Sequence, residues 1–135
     1  MVGAGESSRV FKTAWFSKAA RRSRIEDSEL CAAIRQAMNG QADDLGGGVF
    51  KKRLNKNRHR SIILARGRLY WIYVYLFAKQ DRANIKADEL AAFRDLADLY
   101  GGKTDIEIAR ELQANELMEI CRDDEAGAEV AEIQE

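Results

Sequence analysis

The chain of 135 residues has no proline, two cysteines and one histidine. The missing proline fits unbroken helices and strands and decides nothing further. Cys31 and Cys121 stand 90 positions apart, and neither lies in a C-x-x-C motif or beside a histidine. That spacing argues against a zinc site, and no metal or cofactor is expected. Both cysteines fall on apolar positions of helix-like patterns, so they are expected as buried thiols in a reducing cytosol rather than as a disulfide. No apolar run reaches the roughly 18 residues that span a bilayer. The longest, Leu69 to Ala78, is bounded by Arg68 and Lys79. The first residues, MVGAGESSR, lack the apolar core of a signal peptide, which points to the cytoplasm and away from a membrane. There is no Ser-His-Asp set, no G-x-S-x-G and no nucleotide-binding fingerprint. The triple glycine Gly46 to Gly48 has no expected strand before it and no P-loop Lys-Ser after it, so it reads as a turn.

The most informative absence is one of charge. From Leu45 to Gln80 there is no acidic residue in 36 positions, while nine are Lys or Arg and one is the histidine. The net charge of zero hides this segregation. Residues 1–82 hold 17 basic and 7 acidic side chains, and residues 83–135 hold 5 and 15. Such an asymmetry points to a polyanionic partner for the first half, with solvated edge-strand cations as the bland alternative.

Hydrophobic periodicity supplies the organisation. Residues 1–8 are small and polar and are expected to be disordered. Arg9 to Ala14 alternates like a strand and runs into a short basic helix, Trp15 to Arg22. Asp27 is placed to cap a second helix, with Leu30, Ala33, Ile34, Ala37 and Met38 as its apolar stripe and Gly40 as its stop. These two helices are expected as a hairpin over one face of a sheet. Val49 to Leu54, His59 to Ala65 and Leu69 to Phe77 read as strands, the last buried on both faces. Arg66-Gly67-Arg68 reads as a hairpin turn. Lys86 to Tyr100 reads as a helix buried along Leu90, Phe93, Leu96, Ala97 and Tyr100, and ended by Gly101-Gly102. Thr104 to Glu107 forms a capping box that opens a last helix, expected to run to about Cys121. Residues 122–135 are acidic and expected to be disordered. The fold class is therefore α+β: one compact domain over residues 9–121, with a small, mostly antiparallel sheet and C-terminal helices.

The candidate site residues are the cations of this basic segment. Strand alternation puts Lys51 and Arg53 on one face and Lys52 on the other. Lys52, Lys56, Arg58, Arg66 and Arg82 are candidate RNA phosphate contacts. Tyr73 or Tyr75 is a candidate for base stacking, with core packing the competing role. RNA carries its own nucleophile, the 2′-OH. Cleavage then needs orientation, a base, and cations for the charge that develops on phosphorus and on the leaving oxygen. A lysine crowded by other cations has a depressed pKa and can move a proton. His59 is either catalytic or structural.

Three motifs together suggest a family. They are GGxFKKR (Gly47 to Arg53), an arginine opening a hydrophobic strand (Arg60-Ser61-Ile62-Ile63), and FAKxxRxNI (Phe77 to Ile85). With the opening VFKTAWF and the late ELMEI (Glu116 to Ile120), the chain resembles the RelE/HigB-like toxins of bacterial type II toxin–antitoxin systems. The resemblance implies a RelE/ParE-like fold and a ribosome-dependent mRNA endonuclease that leaves a 2′,3′-cyclic phosphate. It implies a cognate antitoxin that masks the basic face, often a helix-turn-helix protein. By position it assigns phosphate contact to Arg60, the basic strand to Lys51 and Arg53, and the motif lysine to Lys79. A protein of this fold that binds RNA or a protein target such as gyrase, without cleavage, is the alternative. The loop before Arg60 is shorter than the family's usual one, and no catalytic tyrosine follows the last expected strand.

Overall fold

The computed structural model describes residues 8–66 and 70–122. The expected disorder of residues 1–7 and 123–135, and most of the Arg66-Gly67-Arg68 turn, lie outside them.

The elements in chain order are β1 (Arg9–Thr13), α1 (Ala14–Arg22), α2 (Asp27–Met38), β2 (Asp43–Gly46), β3 (Val49–Leu54), β4 (His59–Arg66), β5 (Tyr70–Ala78), α3 (Ala87–Gly101), α4 (Asp105–Gln113) and β6 (Leu117–Ile120). The six strands form one sheet in the order β2-β3-β4-β5-β1-β6. Only the β1–β5 pair is parallel. The expected α+β class and mostly antiparallel sheet are therefore observed.

Each sheet face carries its own core, because alternate residues of a strand point to opposite sides. On one face Phe16 and Ala20 of α1 and Leu30 and Ile34 of α2 pack on Val10, Leu54, Ile63 and Tyr73. On the other, Ala97 of α3 and Ile108 of α4 pack on Phe11, Val49, Ile62, Leu64 and Ile72. The first two helices share one core, but α1 packs chiefly on β5 and α2 on β3. The buried hydroxyl of Tyr73 donates to the carbonyl of Leu30 at 2.7 Å and ties β5 to α2.

Four expectations change. The cap of α2 is Glu26, not Asp27; Asp27 sits in the first turn and pairs with Lys12 at 2.7 Å. Met38 is exposed at the end of that helix rather than part of its stripe. A strand, β2, does precede the triple glycine, and Gly46, Gly47 and Gly48 all have positive φ. The last helix stops at Gln113. Asn115 takes the left-handed conformation (φ 61°), and the amides of Asn115 and Glu116 bond back to the carbonyls of Leu112 and Glu111. This is a Schellman stop. It frees Leu117–Ile120 to pair with β1 as an edge strand.

The cysteines are also not free thiols. Cys31 of α2 and Cys121, just past β6, form a disulfide. Sequence spacing alone does not show that α2 and the end of β6 meet over the same core.

Candidate functional site

The register of β3, β4 and β5 arranges the basic residues in rows. Arg53 stands opposite Arg60, and Arg60 opposite Phe77; Lys51 stands opposite Ile62, and Ile62 opposite Tyr75. Lys51, Arg53 and Arg60 thus share the sheet face that carries the α3 core. Lys52 lies on the other face, as alternation predicts.

A bulge decides where the tyrosines go. Ile62 and Ile63 are adjacent in β4, yet they pair with Tyr75 and Tyr73, which leaves Val74 as the extra residue of β5. A bulge re-aims the side chains beyond it. Tyr73 is buried on the α1–α2 face, and Tyr75 is half-buried on the cation face.

The β3–β4 turn is built from Asn55, Lys56 and Asn57, all with positive φ. Asparagine tolerates this conformation better than most residues. The Glu29 carboxylate accepts a short hydrogen bond from the Asn55 amide and holds the turn against α2. The side-chain amide of Asn55 lies 3.2 Å from Nδ1 of His59. With that amide donating, a neutral imidazole carries its proton on Nε2. Burial pushes the His59 pKa below its ordinary value, outweighing Asp81 and Glu29, which act to raise it.

This turn and the end of β5 enclose a pocket of about 320 Å³, lined by Lys56, Asn57, Arg58, His59, Ala78, Lys79 and Gln80. That is the lower range of small-ligand sites. Lys79 is set by its backbone amide, which donates to the Arg58 carbonyl at 2.8 Å. Arg60 reaches the same turn from the sheet. Its Nη1 donates to the carbonyls of Asn57 (3.1 Å) and His59 (3.2 Å). Among the described residues no carboxylate comes within ion-pairing distance of Arg53, Lys56, Arg58, Arg60 or Lys79.

The other predicted cations are engaged. Lys51 donates to Asn84 at 3.3 Å and lies 4.0 Å from Asp43. Lys52 donates to the Gln41 carbonyl at 2.9 Å; burial, and then neighbouring Arg53, lower its pKa. The lysine with a depressed pKa is therefore Lys52. Arg82 is clamped by both oxygens of Glu89, at 2.5 and 3.1 Å, and donates to the Tyr75 hydroxyl at 3.1 Å. This clamp, followed by the Lys86 amide, holds the Glu89 carboxyl down to about 2. Arg66 lies in β4 opposite Tyr70, and its side chain is outside the described residues.

Sequence reading missed three members of the site. Glu29 and Asn55 look like ordinary helix and turn residues, and only the fold brings them to His59. Trp15 reads as the start of a helix and as part of the opening VFKTAWF, with no site role. It is 52% exposed and stacks on Tyr75, with ring centroids 5.1 Å apart and planes 22° apart. Its signal is an aromatic residue that falls off the buried stripe of Phe16 and Ala20.

The arrangement offers Arg53 and Arg60 on one sheet face. At the same end of the sheet lies the pocket with Lys56, Arg58, Lys79 and the His59 imidazole, which alternation turns to the opposite face near Glu29 and Asp81. Among the described residues no helix is long and apolar enough to cross a membrane, and no group of His, Cys, Asp and Glu is arranged to bind a metal. No curated protein and no solved structure matches the chain. The family model described as the RelE toxin of the RelE/RelB toxin–antitoxin system matches residues 8–120. That span includes every strand and helix among the described residues, so the chain belongs to the RelE toxin family, whose members are paired with an antitoxin.

Proposed function

We propose that this toxin is an endoribonuclease that cleaves mRNA on the ribosome and so arrests translation. The observation that carries the reading is a set of cations free of carboxylate partners among the described residues: Arg53 paired with Arg60 across β3 and β4, and Lys56, Arg58 and Lys79 around the neighbouring His59 pocket. A carboxylate there would repel both mRNA and ribosomal RNA.

In this reading Arg60 and Arg53 hold the scissile phosphate, with Lys51 beside them. The RNA 2′-OH attacks phosphorus, the 5′-oxygen leaves, and a 2′,3′-cyclic phosphate and a 5′-hydroxyl result. Arginine and lysine stabilise the phosphorane and the leaving oxygen electrostatically. His59, held by Asn55 and on the opposite side of β4 from Arg60, and Lys79 are assigned the proton transfers in this reading. Arg82, paired with Glu89, organises the aromatic residues rather than offering a free charge. The surrounding cations Lys52, Lys56, Arg58 and Arg66 contact RNA more broadly. The cognate antitoxin, of a helix-turn-helix type as in HigB-like systems, masks the basic face, and the site of action is the cytoplasm.

The test is induced expression of wild type and Arg60→Ala in bacteria, with mapping of mRNA 5′ ends. Growth arrest with codon-phased cleavage, lost in the variant, is expected. Arrest without new 5′ ends would replace this reading with the non-catalytic one, in which the same face binds RNA or a protein target such as gyrase.

A further inference from the structure

The aromatic group beside the cations has no part in the chemistry above. Trp15 leaves half its surface in water, although an indole gains more by burial than almost any side chain. Its ring lies nearly parallel to Tyr75. Tyr75 is fixed from below. Arg82 donates to its hydroxyl, is itself clamped by Glu89, and sits 6.0 Å from the Tyr75 ring and 5.5 Å from the Phe77 ring. The Tyr75 ring also meets Phe93 of α3 at 5.9 Å. The result is a rigid layer with one exposed aromatic on top.

Its position is set by the register. Tyr75 and Phe77 lie on the same face as Arg60 and Arg53. In a sheet the diagonal from Tyr75 to Arg60 is about 7–8 Å. A phosphate on Arg60 and a base on Trp15 therefore fall within one or two nucleotides of one strand. The acid of this corner, Glu89, is spent on Arg82 and presents no free charge to a phosphate.

We infer that Trp15, backed by Tyr75, is a stacking platform for one unpaired nucleobase of the RNA strand whose phosphates Arg60 and Arg53 hold. This rests on the RNA reading above and adds to it a base-binding subsite. Stacking needs only a π-face, so the platform accepts any base and excludes a paired one.

The experiment uses the full chain and a short 2′-O-methyl single strand, which cannot be cleaved. A Trp71→Phe variant leaves Trp15 as the only indole. At low salt the strand is expected to quench Trp15 emission, and an abasic strand of equal length is expected to bind without quenching. Trp15→Ala should weaken binding of the base-bearing strand by about 5- to 150-fold, the range for loss of one stacked base. Trp15→Phe should recover most of it. Trp15 is exposed, so neither variant threatens the fold. Equal binding by wild type and Trp15→Ala would overturn the platform while leaving the RNA reading intact. Loss of antitoxin binding in Trp15→Ala, with strand binding unchanged, would reassign the residue to a protein contact. Failure of every strand to bind would overturn the platform, while the ribosome-dependent reading stands or falls by the mapping of mRNA 5′ ends above.

Discussion

His59 shows how a residue of ordinary identity acquires a defined state. It is half-buried at the mouth of a basic pocket, with Asn55 at its Nδ1 and Arg58 as its sequence neighbour. Burial disfavours its charged form, so the folded pKa lies below the unfolded value of about 6.5. The unfolded chain then takes up the proton first as pH falls. The associated stability is complete above about 6.5 and is lost as pH falls through the folded value. Because the chain has one histidine, its ring-proton resonances give an unambiguous titration curve. A midpoint below 6.5 is expected, and Asn55→Ala should shift the curve without unfolding the domain. A midpoint at or above about 6.5 would mean that burial does not disfavour the charged imidazole in the folded protein.

At the scale of elements, left-handed residues set the boundaries. Arg24, Gly40 and Asn115 each end a helix with the same pair of backward bonds. Glycine is readable as a stop, and Gly40 was so read; arginine is not, and Asn115 was missed. The triple glycine answers to a different need. Arg94 of α3 lies across it, with Nε donating to the Gly46 carbonyl at 3.2 Å and Nη2 donating to Leu45. A Cβ on Gly47 would stand 2.7 Å from Cγ of Arg94, at φ +65°. Gly47→Ala should therefore cost about 1–2 kcal/mol for the left-handed backbone alone, plus the displacement of Arg94. Gly40→Ala, where no atom lies within 4 Å of the added Cβ, should lose less. Denaturant unfolding of the two variants checks the order, and equal losses would mean that Arg94 moves aside freely.

The whole molecule is closed by the Cys31–Cys121 disulfide, with a separation of 90 residues. The family match ends at residue 120, so one partner of this bond lies just outside it. Cross-linking a ring this long removes considerable entropy from the unfolded chain. It also pins β6, an edge strand of four residues, to α2. Cys121→Ser, or a reducing agent, should lower the unfolding free energy by about 2–4 kcal/mol, with little change in the fold. Identical denaturation curves with and without reductant would show that the bond does not form in solution.

Much of this protein was legible in its residues. The strands β3, β4 and β5, the helices α1, α2 and α3, and the capping box of α4 follow from local periodicity and side-chain chemistry, which act within a few residues. The basic character of the β3–β4 segment follows from the missing acids. The family motifs also lie in contiguous stretches. What the sequence left open depends on contacts far apart along the chain. The edge strands β2 and β6 are short and gain their identity by pairing. The disulfide joins residues 90 positions apart. Tyr73 and Tyr75 share a parity, and simple alternation would put them on one face. A single bulge at Val74 sends one into the core and the other to the cations. Trp15, Asn55 and Glu29 reach the site only because α1, α2 and the β3–β4 turn converge there. Periodicity tells which side of a strand a residue occupies; only the packed sheet decides which partner waits on that side.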